Sequence, residues 1–79
     1  MPRGIYNWTA ENVMRFLKAH GFVLNHTRGS HYYYVGHYAG SFRQVCVPLH
    51  VSRIIKPRTM GGIIRQSGIM KEEWLKGDY

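Results

Sequence analysis

The run Arg28-Gly29-Ser30-His31-Tyr32-Tyr33-Tyr34-Val35 decides how this chain folds. Gly29 accepts a tight turn without a Cβ penalty, and the aromatic and β-branched residues behind it continue as a strand. His31 therefore stands at the mouth of that strand, beside the turn, where a ligand can reach it. The turn needs a strand in front of it, and the apolar Phe22-Val23-Leu24 opens one over about residues 22–27.

The strand after the turn runs from Ser30 to about His37. Its period of two places His31, Tyr33 and Val35 on one face and Ser30, Tyr32 and Tyr34 on the other. Large aromatics occupy both sets, so the pattern leaves open which face meets the core. Tyr38-Ala39-Gly40-Ser41 makes a second turn, and Phe42 to Val47 forms a third strand in which Arg43 alternates with Val45 and Val47. Pro48, with no amide hydrogen to donate, is expected to end the ladder.

Working outward, a helix is expected over about residues 10–20. Thr9 caps it, Glu11 sits in its first turn, and Ala10, Val13, Met14 and Leu17 recur at helical spacing before Gly21 stops it. The lead-in carries Ile5, Tyr6 and Trp8. On the other side, Leu49 to Pro57 reads as an irregular connection whose cations, Arg53, Lys56 and a protonated His50, surround an Ile54-Ile55 pair that tethers the loop. A second helix is expected over about residues 60–67, capped by Thr59, with Met60, Ile63 and Ile64 inward. Gly68 stops it, and Ile69 packs back on Ile64. Gly61 and Gly62 weaken that helix by up to about 1 kcal/mol each. Tight packing on the sheet is the preferred reason to tolerate them, and close approach of a backbone or a phosphate is the other. A last turn, Lys71 to Leu75, tucks Trp74 against the body. The resulting fold class is α+β, an α-β-β-β-α order with two helices packed on one face of a three-stranded antiparallel sheet, in one domain over 1–79.

Composition narrows the chemistry. The 79 residues carry 11 Lys and Arg against 4 Asp and Glu, a formal charge of +7 that draws in polyanions, nucleic acid first and an acidic protein second. Glu72, Glu73 and Asp78 lie in the last eight residues, and only Glu11 precedes them. A two-metal carboxylate nuclease or an Asp-supported triad has almost nothing to be built from. Cys46 is the single cysteine, so an internal disulfide or a cysteine-based zinc cluster is unavailable and a reducing cytoplasm fits. No run reaches the roughly 18 apolar residues of a membrane span, and Met1-Pro2-Arg3-Gly4 does not open a signal peptide. A soluble, cytoplasmic protein without membrane partners is expected.

Several motifs resemble those of the HicA-type toxins, small ribonucleases of bacterial toxin–antitoxin pairs. They are Lys18-Ala19-His20-Gly21-Phe22, Arg28-Gly29-Ser30-His31, Val47-Pro48-Leu49-His50, and Lys56-Pro57-Arg58-Thr59 leading into Ile63-Ile64-Arg65-Gln66-Ser67-Gly68. The ordered set spans most of the chain. The resemblance implies a double-stranded-RNA-binding-like fold, endonucleolytic cleavage of mRNA without a metal or other cofactor, and a HicB-type antitoxin that covers the active site. It assigns the catalytic role to His31 alone. The family usually has glycine before the helix-capping threonine, where this chain has Arg58.

Residue chemistry agrees. Metal-free RNA cleavage needs a base for the 2′-hydroxyl proton, an acid for the leaving oxygen and cations for the phosphorane charge. Histidine, titrating as a residue type near pH ~6.5, serves either proton role. Arg28, Ser30, Lys56, Arg58 and Arg65 are candidate RNA contacts. For the cations the competing reading is a solvated surface, and for Ser30 it is a bond to its own turn, which is preferred. His20, His26, His37 and His50 are read as structural, His50 as an anchor for the loop after Pro48. Two functions of other classes fit the same sequence: a non-catalytic RNA-binding module, and a protein-complex subunit whose basic, aromatic surface binds an acidic partner.

Overall fold

The computed structural model describes residues 7–50 and 53–76; Ile5, Tyr6 and Asp78 lie outside them, as does part of the connection after Leu49. Helix α1 (Ala10–Ala19) precedes strands β1 (Val23–Arg28), β2 (His31–Tyr38) and β3 (Ser41–Pro48), and helices α2 (Pro57–Ser67) and α3 (Lys71–Lys76) follow. The strands form an antiparallel sheet in the order β1-β2-β3, the α+β arrangement of a double-stranded-RNA-binding-like fold.

Thr9 caps α1 as expected, and Asn12 completes the cap. The Thr9 hydroxyl accepts from Asn12 N at 3.3 Å, and Asn12 Oδ1 accepts from Thr9 N at 2.9 Å. Val13, Phe16 and Leu17 turn fully inward from this helix. Phe16 stacks on Trp74 of α3, with ring centroids 3.8 Å apart, and meets Trp8 edge-on at 5.6 Å. These rings, with Phe22, Val45, Val47, Met60, Ile63 and Ile69, make the core.

The structure chooses between the two tyrosine faces. Tyr34 is 2% exposed within the core, and Tyr32 and Tyr38 pack against it. His31, Tyr33 and Val35 therefore lie on the open face of the sheet. Arg28 and Pro48 stand opposite His31, and His26 and Cys46 opposite Tyr33. Asn25 is an extra residue between Leu24 and His26, a bulge that sets His26 across from Tyr33.

Two expectations need correction. The ladder does end at Pro48, but not for want of its amide: Pro48 is itself paired, as the last residue of β3 facing His31, and Leu49 N beyond it donates to the Ser30 carbonyl at 2.7 Å. That bond makes His31 and Pro48 a non-hydrogen-bonded pair, in which an amide at position 48 would point to the free edge. Proline loses nothing there. The same outward direction at Cys46 is used, because its N–H donates to Gln66 Oε1 of α2 at 3.0 Å.

Secondly, Thr59 does not cap α2. The cap is Lys56, in extended backbone without a side-chain bond, and the helix opens with Pro57. Proline's fixed φ suits the first helical position, and its missing amide is one that the helix leaves unpaired there anyway. Arg58 therefore sits inside the first turn, exposed, at a position that needs no glycine. At the other end Gly68 caps with φ +71, as expected, and Ser67 Oγ donates to the Ile64 carbonyl at 2.7 Å and accepts from Ile69 N at 3.0 Å. Of the Ile54-Ile55 tether only Ile55 enters the core, with its N–H on the Trp8 carbonyl at 2.7 Å; Ile54 bridges Thr9 along the backbone and is 55% exposed.

Candidate active site

His31 is placed by its turn. Arg28 and His31 close the β1–β2 hairpin as a pair, with Gly29 at φ +57 and Ser30 between them. Positive φ at the first of two central residues is the pattern of a II′ turn, whose twist matches that of the strands it joins. Ser30 ties the turn to the end of β3 through its carbonyl; its hydroxyl makes no hydrogen bond among the described residues.

Beside His31 a cleft of about 570 Å³ opens where the end of β3, the connection after it and one flank of α2 converge. Cys46, Pro48 and His31 come from the sheet, His50, Arg53, Ile54 and Lys56 from the connection, and Thr59, Gly62 and Gln66 from the helix. The last three share one helical face by their spacing, while Met60, Ile63 and Ser67 bury the other. No Asp or Glu among the described residues lines the cleft. Among the described residues no three His, Cys, Asp or Glu side chains come together as a metal site.

The electrostatics of the α2 start are one-sided. Lys56 and Arg58 stand at an end that the helix dipole already makes positive, no acidic residue sits in the first turn, and no side chain caps it. A cation there costs about 0.3–1 kcal/mol, which an anion would offset. Among the described residues the only ion pair is Lys76–Glu73, at 3.3 Å in α3, and none of their carboxylates pairs with the cations around the cleft.

Of the residues singled out from sequence, the structure brings His31 and Lys56 into the cleft. Arg28 is exposed beside His31 on the open face. Arg58 is exposed on α2, and Arg65 reaches the rim, with Nη2 3.9 Å from where a Cβ on Gly62 would lie. Arg53 and His50 were missed. The basic connection was visible in the sequence, but its folding toward His31 was not.

The five histidines separate clearly. His20 caps α1, with Nδ1 donating to the Phe16 carbonyl at 2.9 Å and its ring stacked on Phe16 at 4.2 Å. His26 stacks on Tyr33 at 4.5 Å, and its Nδ1 is 2.8 Å from Asn25 Nδ2. His37 meets Phe42 edge-on at 5.3 Å. Only the rings of His31 and His50 carry neither a hydrogen bond nor a ring partner among the described residues, and both line the cleft. The structural reading holds for His20, whereas no ring contact makes His50 an anchor; the loop is turned by its carbonyl, which accepts from Arg53 N at 3.0 Å. Nearby, interaction with the Cys46 side chain opposite it raises the pKa of the Tyr33 hydroxyl from its ordinary value.

These features define a small, basic, double-stranded-RNA-binding-like domain with a histidine-bearing cleft rimmed by cations. The sequence model of the HicA toxin of bacterial toxin–antitoxin systems matches residues 10–69, and the chain belongs to that family. It is accordingly the toxin component of a toxin–antitoxin pair, with a HicB antitoxin as its implied partner. No curated protein matches the chain significantly. No helix among the described residues is long and apolar enough to cross a membrane.

Proposed function

We propose that this toxin is a metal-independent endoribonuclease that cleaves mRNA, with His31 moving protons at the scissile phosphate. The observation that carries the reading is the placement of His31: exposed, with an uncommitted ring, in a cleft whose far wall is the cationic, uncapped start of α2. Family membership supports it, since HicA toxins are generally mRNA interferases. Lys56 and the first turn of α2 offer donors and charge to the phosphate, and Arg28, Ser30, Arg58 and Arg65 extend the contact to the flanking RNA backbone.

The reaction is an internal transesterification. As the 2′-hydroxyl loses its proton, the 2′ oxygen attacks phosphorus and the P–O5′ bond breaks, leaving a 2′,3′-cyclic phosphate and a 5′-hydroxyl. The test is cleavage of a labelled RNA in EDTA by the wild type and by His31→Ala, with circular dichroism showing both folded. Loss of roughly 10²–10⁴-fold in the variant, the usual worth of a positioned acid or base, is expected. Cleavage that needs added Mg²⁺, or equal rates in the two proteins, would overturn the assignment. RNA binding that weakens with salt but never leads to turnover would identify a non-catalytic RNA-binding module instead.

A further inference from the structure

The reaction requires two proton transfers, and His31 accounts for one. We infer that His50 is the second proton-transfer group, acting with His31 across the scissile phosphate; the inference rests on the ribonuclease reading above.

Three observations carry it. Of the five histidines, His31 and His50 alone have rings without a partner among the described residues, and those two line one cleft. Their backbones are fixed to each other. Leu49 N donates to the Ser30 carbonyl at 2.7 Å, so each histidine immediately follows one end of a hydrogen bond. Since His31 pairs with Pro48, His50 lies two residues further along the opposite chain, just past the end of β3. The cleft that both line, about 570 Å³, has room for a phosphate. The bond from Arg53 N to the His50 carbonyl, at 3.0 Å, turns the chain back so that Lys56 closes the same cleft. Finally, no carboxylate among the described residues lines the cleft, and histidine is the side chain there whose ordinary titration range suits both transfers near neutrality.

The balance closes without another reactant. The neutral histidine takes the 2′-hydroxyl proton while the P–O2′ bond forms, and the protonated one gives its proton to the departing 5′ oxygen as P–O5′ breaks. The pair ends with its protons exchanged, and water resets it.

The test is single-turnover cleavage by wild type, His31→Ala and His50→Ala across pH, on RNA and on a substrate with sulfur replacing the scissile 5′ oxygen. A thiolate leaves without an acid. His50 is exposed, so removing its ring leaves the core intact, and circular dichroism checks this. On RNA, His50→Ala should fall by about 10²–10⁴-fold. It should also lose one limb of the bell-shaped pH profile, which a merely structural residue would not move. The sulfur substrate should rescue one of the two variants and not the other. If His31→Ala is inactive while His50→Ala stays within about threefold of wild type with both pH limbs, the inference is overturned and the ribonuclease reading stands. If neither variant loses activity, both fail.

Discussion

Gly61 and Gly62 offer a direct separation of stability from function. A Cβ built on Gly61 meets nothing within 4 Å, and one on Gly62 meets only Arg65 Nη2 at 3.9 Å, the far end of a flexible side chain. Tight packing on the sheet, the preferred explanation from sequence, is therefore not why these residues lack side chains. Each alanine should instead stabilise α2 by about 0.5–1 kcal/mol, the backbone entropy that a helical glycine costs. For a domain of this size that raises Tm by roughly 2–8 °C, within a total stability of about 4–12 kcal/mol. The two sites differ in what they face, since Gly62 lines the cleft and Gly61 does not. A methyl group at 62 should displace the RNA backbone and cut single-turnover cleavage roughly ten- to a hundredfold, as small displacements of reacting groups do. Gly61→Ala should gain the same stability and keep its rate. Urea titration followed by circular dichroism measures the first effect and cleavage of labelled RNA the second. Destabilisation by either alanine would contradict the open space around the helix. Equal rates in the two variants would show that the substrate does not approach Gly62.

Other predictions follow from the caps and the core. Ala39, at φ +54 in the β2–β3 turn with Gly40 at +79, occupies a position that favours asparagine, so Ala39→Asn should raise stability by about 0.5–1 kcal/mol in the same urea assay. Gly68→Ala should destabilise by about 1–3 kcal/mol, because its φ is +71 and its Cβ would overlap the Arg43 guanidinium. In the double variant with Arg43→Ala the overlap disappears and only the backbone strain remains, so the two losses should not add. Burial raises the hydroxyl pKa of Tyr34 above the ordinary ~10. The unfolded chain then ionises first, so the stability difference between wild type and Tyr34→Phe should be constant below about pH 10 and shift against the wild type above it. A flat difference through that range would contradict the burial.

Sequence by itself determined the elements and most of their ends, because those are set by neighbours along the chain. Thr9 needs only its own hydroxyl and the amide of Asn12, three residues on, and Gly29 and Gly68 need only their missing Cβ. The motif set determined the family in the same way, since its residues stand in order along one strand of sequence. Even the start of α2 was locally encoded, in Pro57, though a threonine with capping chemistry competed for that reading.

Tertiary structure decided what depends on several elements at once. Three consecutive tyrosines give both faces of β2 an aromatic, so no period could say that Tyr34 goes inward and Tyr33 outward. That is settled by where α1 and α2 bury their apolar faces, and it carries His31 onto the open side. Pro48 is harmless because its missing amide faces the free edge, a fact about pairing and not about proline. His31 was marked in the sequence by its turn and motif, but nothing local set His50, 19 positions away, apart from the other three histidines. What distinguishes His31 and His50 is that β3 and the Ser30–Leu49 hydrogen bond bring both to one cleft and leave their rings without a partner among the described residues.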